Sequence, residues 1–341
     1  MDLSDRKKRI LSAIVEEYIM TGEPVGSKYL AALPDIGLSS ATIRNEMSEL
    51  SELGYIDQPH TSAGRVPTQL GYRLYVDSLM GSYKLTDDER KAFDSMKNAV
   101  SGDIETTLEK AGALLANVTG YAAVSTVPDD KAASIRRIQV MPAGARSILL
   151  VMLTSSGIVK TCIYRIDEDV TVEMLEFFSN LVNDCFCGKQ LGIVTDEYIT
   201  KIKSELYEYT YALSPVLDII FNELKSISGE ILVGGTENLL NHSEFDSAKI
   251  IEIMKFLQQR HELLRTFNTV KNGVQVKIGN ESGVPFMQNS AIIAAPYAFK
   301  GKICGSVGII GPARIDYPKM VSNIKYFASS LSNLINESFG D

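Results

Sequence analysis

The run Ser39-Ser40-Ala41-Thr42-Ile43-Arg44-Asn45-Glu46-Met47-Ser48 holds residue types suited to reading nucleic-acid bases. A guanidinium such as that of Arg44 matches the guanine edge in a major groove, and a carboxamide such as that of Asn45 matches the adenine edge. Ser39, Ser40, Thr42 and Lys28 supply the hydroxyls and the cation that phosphates accept from. A second polar run, His60-Thr61-Ser62-Ala63-Gly64-Arg65, sets His60, Thr61, Ser62 and Arg65 in a short loop. There Gly64 lets the backbone turn, and Arg65 can reach phosphate or a minor groove. Other chemistry is poorly represented. Cys162, Cys185, Cys187 and Cys304 lack zinc-site spacing, and His60, His242 and His261 are scattered, so no metal is expected. Gly305, Gly308 and Gly311 sit in an apolar strand and miss the dinucleotide fingerprint. With no Walker motif or nucleophile elbow either, no cofactor and no enzymatic activity are expected.

The elements that position these residues are legible locally. Ser4 or Asp5 can cap a first helix with Ile10, Leu11, Ile14 and Tyr18 on one face, ended by Thr21-Gly22-Glu23-Pro24. A short helix fits Ser27 to Leu33, and Pro34-Asp35-Ile36-Gly37 turns the chain. A third helix runs from Ser39 or Ser40 to Leu53, with Gly54 as its stop. Its buried stripe is Ile43, Met47, Leu50 and Leu53. Ala41, Asn45 and Ser48 then point away, flanked by Thr42 and Arg44. Tyr55 to Pro59 and Val66-Pro67 read as strands around the polar loop, a wing, and Thr68 caps a fourth helix with Tyr72, Tyr75, Val76 and Leu79 on one face. Three short helices and a hairpin also build domains that bind only protein. The order helix, helix, helix, Gly, then a Gly-Arg loop between short strands favours DNA.

Charge gives that reading no help. The 341-residue chain carries a formal net charge of −8, and residues 1–80 hold eight Lys or Arg against eleven Asp or Glu, a net of −3. Binding must rest on where charges lie, and Arg6, Lys7, Lys8 and Arg9 offer more of it at the N-terminus. The chain has no run of about 18 apolar residues and no signal-peptide pattern, so the expected location is the cytoplasm, with no membrane partner.

Beyond residue 80, Thr86 to Val118 reads as helical. Strands follow at 135–140, 147–153 and 158–164. Helical spacing then takes over: Met174, Phe178, Leu181 and Cys185 mark one helix, 196–206 a second, Ser214-Pro215 opens a third, and 247–267 forms a fourth after a short strand at 230–233. Strands return at 274–278, 291–295 and 303–310. A sheet interrupted by a helical block points to an insertion near residues 168–264. In the last helix, Met320, Ile324, Phe327, Leu331 and Leu334 alternate steps of four and three. That spacing fits a coiled-coil seam or, as favoured by its two-heptad length, packing on the sheet.

Gly26-Ser27-Lys28, the run from Ser40 to Met47, Leu53-Gly54-Tyr55-Ile56, His60 to Thr68 and Gly71-Tyr72-Arg73 closely resemble the HrcA family of heat-inducible transcription repressors. Gly308 to Pro318 is a second such patch near the C-terminus. The resemblance implies an α+β multidomain fold: a winged helix-turn-helix (1–80), a GAF-like α/β domain (81–167 and 265–341), and an inserted, mainly helical dimerising domain with a small antiparallel sheet (168–264). It further implies a homodimer that represses chaperone operons at an inverted-repeat operator in double-stranded DNA, CIRCE, and depends on the GroEL chaperonin. The alternative is a GAF-containing transcription factor whose bound metabolite sets its DNA affinity.

Overall fold

The computed structural model describes residues 3–59, 64–100, 103–127, 133–144, 146–155, 157–166, 171–210, 214–227 and 231–339. The N-terminal helices begin and end at side chains that satisfy their orphan backbone groups. Ser4 caps α1 (Asp5–Thr21), which stops at Gly22 in the left-handed region. After α2 (Ser27–Ala32), Ser39 caps α3 (Ser40–Glu52). The chain leaves α3 through Gly54 (φ 79), with Tyr55 N donating to Leu50 O at 3.0 Å. β1 (Ile56–Asp57) pairs antiparallel with β2 (Val66–Pro67). Thr68 caps α4 (Gln69–Leu74), which continues as a π-helical turn over Tyr75–Leu79.

α5 (Asp87–Asp94) opens with a capping box between Thr86 and Glu89, and α6 (Ile104–Thr119) leads to β3 (Ala122–Thr126). Far along the chain come β7 (Ile231–Gly234), β8 (Gln275–Ile278), β9 (Ser290–Phe299) and β10 (Lys302–Pro312). Together they form an antiparallel sheet in the order β7-β3-β10-β9-β8. Alternation sends Ala123, Ile293, Ala295, Val307 and Ile309 into one core with α6 and α12 (Tyr317–Phe339). Ala122, Val124, Ile292, Ala294 and Ile310 enter a second core with α10 (Ser247–Gln258) and α11 (Arg260–Phe267). With both faces covered, β3 is buried at every position. The apolar row of α12, Met320 to Leu334, is buried within this domain, so packing on the sheet and not a coiled-coil seam accounts for it. The β10 glycines allow close approach: a Cβ on Gly308 would lie 2.3 Å from Ile293 O, and one on Gly305 2.6 Å from the Tyr297 ring.

Between β3 and β7 a separate sheet forms, β4 (Ile135–Gly144), β5 (Ser147–Thr154) and β6 (Val159–Arg165), with α7 (Val172–Phe186), α8 (Asp196–Thr210) and α9 (Ser214–Ile227). The sheets thus divide the chain differently from the 168–264 boundaries. Among the described residues the strands at 135–165 share no ladder with the five-stranded sheet, whereas β7 pairs with β3, and α10 and α11 cover that sheet. The helix expected over 247–267 is two, broken at Gln259 (ψ 78). In α7 the buried residues are Leu175, Phe178, Ser179, Val182 and Phe186 rather than the expected row through Met174 and Cys185. Helix α7 turns this way because its polar groups are needed at the sheet edge. Ser179 Oγ accepts from Val140 N at 2.9 Å, and Asn183 Oδ1 accepts from Ile138 N at 2.8 Å, occupying the free edge of β4.

Gly71, inside α4, tests how tightly this architecture is packed. A Cβ there would sit 2.2 Å from Tyr55 O, the carbonyl that accepts from Thr68 N. Gly71→Ala should cost roughly 1–3 kcal/mol in urea unfolding of the full chain. Gly81→Ala, with nothing within 4 Å of its Cβ, should be near neutral. Equal midpoints for the two variants would contradict this packing.

Candidate nucleic-acid interface

Helix α3 is held from behind and left open in front. Ile43, Met47 and Leu50 are buried on a helix that packs against α1 and α2, while Ala41, Arg44, Asn45 and Ser48 are exposed. Leu53, expected in the buried stripe, is 42% exposed, because the helix ends before it can turn inward. The side chains of Arg44 and Asn45 have no hydrogen bond or ion pair among the described residues, and so project as an unengaged guanidinium and carboxamide. Ser48 Oγ donates to Arg44 O at 3.1 Å.

The hydroxyls at the start of α3 are engaged within the motif. Ser39 Oγ accepts from Thr42 N at 3.2 Å and lies 2.9 Å from Thr42 Oγ1. Ser40 Oγ lies 3.0 Å from Ser27 Oγ, joining α2 to α3, and Lys28 stays exposed on α2. Arg65 is anchored too. Its Nε donates to Ser51 Oγ at 3.1 Å, and its backbone exchanges two hydrogen bonds with Val25, at 2.8 and 2.9 Å. This bridge adds a third extended segment to the wing. Sequence reading overlooked it, although a valine directly after Pro24 favours extended backbone. It also corrects the role expected of Gly64, which does not have a positive φ. A Cβ there would lie 2.5 Å from the Val25 carbonyl, so close approach is what demands glycine. His60, Thr61 and Ser62 lie outside the described residues.

Two of the three acidic residues of α3, Glu46 and Glu49, are paired with cations of α1. Arg6 Nη1 meets Glu46 at 3.2 Å, and Lys7 Nζ meets Glu46 at 3.0 Å and Glu49 at 2.8 Å. Hydrogen bonds to Glu49 and Glu46 raise the Lys7 ammonium above its ordinary value, and the Lys7 hydrogen bond, with Arg6 behind it, holds the Glu46 carboxyl below its own. Two of the N-terminal cations expected to add charge beside a ligand, Arg6 and Lys7, are thus engaged with α3 instead. Arg9 Nη1 donates to Asp35 O at 3.3 Å. These pairings join residues distant in the chain, 40 apart for Arg6 and Glu46 and 26 for Arg9 and Asp35, and no sequence signal marks them.

With this geometry, comparison with known proteins is decisive. Residues 2–78 match the family model described as "Winged helix-turn-helix transcription repressor, HrcA DNA-binding", and residues 105–321 match "HrcA protein C terminal domain". The chain belongs to the HrcA family. It is 37% identical over 341 residues to the heat-inducible transcription repressor HrcA of Moorella thermoacetica, covering 99% of each chain. It is 34% identical over 345 residues to that of Acetivibrio thermocellus, covering 100% of this chain and 98% of the relative. A crystal structure described as a hypothetical protein at 2.2 Å resolution superposes with a TM-score of 0.68 at 27% identity, covering 99% of this chain and 100% of that one. Residues quoted above for the resemblance fall in both matched HrcA regions. Among the described residues no cluster of three or more His, Cys, Asp or Glu could hold a metal, and no helix is long and apolar enough to cross a membrane.

The ion pairs on α3 have a pH signature. Glu46, with its pKa lowered, contributes stability above the carboxylate range and loses it as pH falls. Lys7, with its pKa raised, contributes below the lysine range and loses it as pH rises. Lys7→Met should therefore melt below wild type between about pH 5 and 10, with the gap closing on either side. A gap independent of pH across a melting series would show that the pairing contributes nothing.

Proposed function

We propose that this chain is a dimeric repressor of chaperone operons, acting in the cytoplasm, that reads an inverted-repeat operator of the CIRCE type and depends on GroEL for its active fraction. The observation that carries this reading is the outward pair Arg44 and Asn45, unengaged on a helix whose Glu46 and Glu49 are paired with cations of α1. The α3 N-terminus enters the major groove, where Arg44 and Asn45 read base edges. Lys28, Ser39, Ser40, Thr42, Ser48 and Arg65 contact phosphate or hold the elements that do, and the sequence adds His60, Thr61 and Ser62 as further candidates for such contacts.

An inverted repeat calls for a two-fold axis. The inserted domain offers a surface for it. Ile148, Leu150 and Met152 of β5 are buried, which turns Leu149, Val151 and Leu153 to the other face. Across the ladder Leu149 pairs with Met141 and Ile163, the latter 70% exposed, so the outer face of this sheet carries an apolar row, with Gln139 and Thr161 opposite Val151 and Arg137 opposite Leu153 beside it. The proposed dimer covers that face. Release on warming needs no dedicated sensor residue: a marginally stable repressor whose chaperonin is occupied by other clients loses its fold and its operator.

One electrophoretic-shift experiment on the inverted-repeat operator, with and without GroEL, tests the whole reading. Arg44→Ala and Asn45→Ala should each cost roughly 1–3 kcal/mol and relax preference at one base pair. Lys28→Ala should weaken all sequences alike and lower the salt slope by about one. Ile163→Asp should sediment as a monomer and lose the full operator. GroEL should raise the active fraction without changing the preferred sequence. Wild-type affinity in both α3 variants would refute this docking, and a dimeric Ile163→Asp would refute this interface.

A further inference from the structure

The winged helix is clamped onto the five-stranded-sheet domain by two arginines, one of which, Arg73, also pairs through Nη1 with Asp77 one turn further on at 3.1 Å. Arg73, in α4, donates through Nε to Glu281 at 2.9 Å and through Nη2 to both Glu281 and Val276 O. Val276 lies on β8, the edge strand of the sheet, so this guanidinium occupies an otherwise open edge carbonyl. Arg314 reaches the other way, from the segment after β10. Its Nη1 donates to Ile19 O at 2.7 Å, a carbonyl in the last turn of α1, while Glu244 holds its Nε and Nη2. Between the two arginines Tyr72 packs on Tyr317 with ring centroids 5.7 Å apart, both rings buried. Both guanidiniums bridge a carboxylate and a backbone carbonyl, an arrangement that fixes orientation as well as distance.

We propose that Arg73 and Arg314 are positioning residues that decide which spacing between operator half-sites the protein accepts. The proposal rests on the dimeric reading of an inverted repeat. Each base pair inserted between half-sites moves one of them along the axis by about a tenth of the 34–36 Å helical repeat and rotates it by about a tenth of a turn. A winged helix fixed at both ends of this clamp cannot follow that movement. One tethered only by residues 80–86, which lack regular secondary structure, could follow it, because such a linker spans up to about 25 Å when extended. The clamp thereby converts two separate readers into one reader with a fixed ruler.

The test uses the full-length chain carrying R73A/R314A, against a single half-site and against inverted repeats with the natural spacer and with spacers lengthened or shortened by one and two base pairs. Joining two half-sites on a rigid frame multiplies affinity by roughly 10²–10⁴. The variant should lose about tenfold or more of that gain on the natural spacer, accept shifted spacers nearly as well as the natural one, and bind the half-site as wild type does. Limited proteolysis without DNA should cut within residues 80–86 faster than in wild type. If circular dichroism shows R73A/R314A to be unfolded, E244Q/E281Q, which leaves the arginines their carbonyl partners, carries the same comparison with smaller changes. Equal losses on half-site and full operator, an unchanged spacer preference, or an unchanged cleavage rate overturns the clamp. Wild type failing to bind any inverted repeat overturns the dimeric reading instead, and the cleavage rates then decide the clamp alone.

Discussion

Thr126 and Ser306, 180 residues apart in the chain, are joined by hydrogen bonds: Ser306 N donates to Thr126 Oγ1 at 2.8 Å, and Thr126 Oγ1 lies 3.3 Å from Ser306 O. They mark the pairing of β3 with β10, on which the rest of the molecule depends. Everything between these strands must leave the sheet and return to it. The inserted sheet and its helices occupy the outward excursion, β7 marks the return, and α10 and α11 lie on the face so created. Strand β10 then delivers Arg314 to the end of α1. The non-local ladder is thus tied by two residues of connection to the placement of the winged helix. Loop-closure entropy for so long an excursion grows only slowly with its length, which is why so large an insertion is tolerated.

An N-terminal segment with a net charge of −3 is an unpromising ligand for a polyanion until its charges are located. Glu46 and Glu49 carry much of the acidity near the outward face, and both are paired with cations of α1. Within a Debye length of about 8–10 Å a paired carboxylate repels phosphate far less than a bare one. What remains toward solvent at the front of α3 is Arg44, Asn45 and hydroxyls. The interface is local, and it depends on the packing of α1 against α3 as much as on the residues that face outward.

The inserted domain shows the same economy. One edge of its sheet is closed by Ser179 and Asn183 of α7 in place of another strand, and the inner face is buried by helices, which leaves open one face with an apolar row through Met141, Leu149 and Ile163. A domain with one such face is suited to meeting a copy of itself, since a two-fold interface needs only one self-complementary patch.

Much of the N-terminal domain was legible in the residues alone. Caps at Ser4, Ser39 and Thr68, the stop at Gly54 and the face carrying Arg44 and Asn45 depend on interactions within a few residues, and periodicity and capping chemistry report such interactions directly. The presence of a sheet interrupted by an insertion was legible for the same reason. Which strands belong to which sheet was not, because a strand's own pattern states that one face is buried but not which partner covers it. The break at Gln259, the rotation of α7 toward the edge of β4, the exposure of Leu53, the bond from Arg65 to Ser51 and the pairing of Lys7 with Glu46 and Glu49 were settled by neighbours distant in the chain. By itself the sequence determined which residues can read a base. The tertiary structure alone decided which of them are left free to do so, because a side chain's partners are set by what the fold brings beside it.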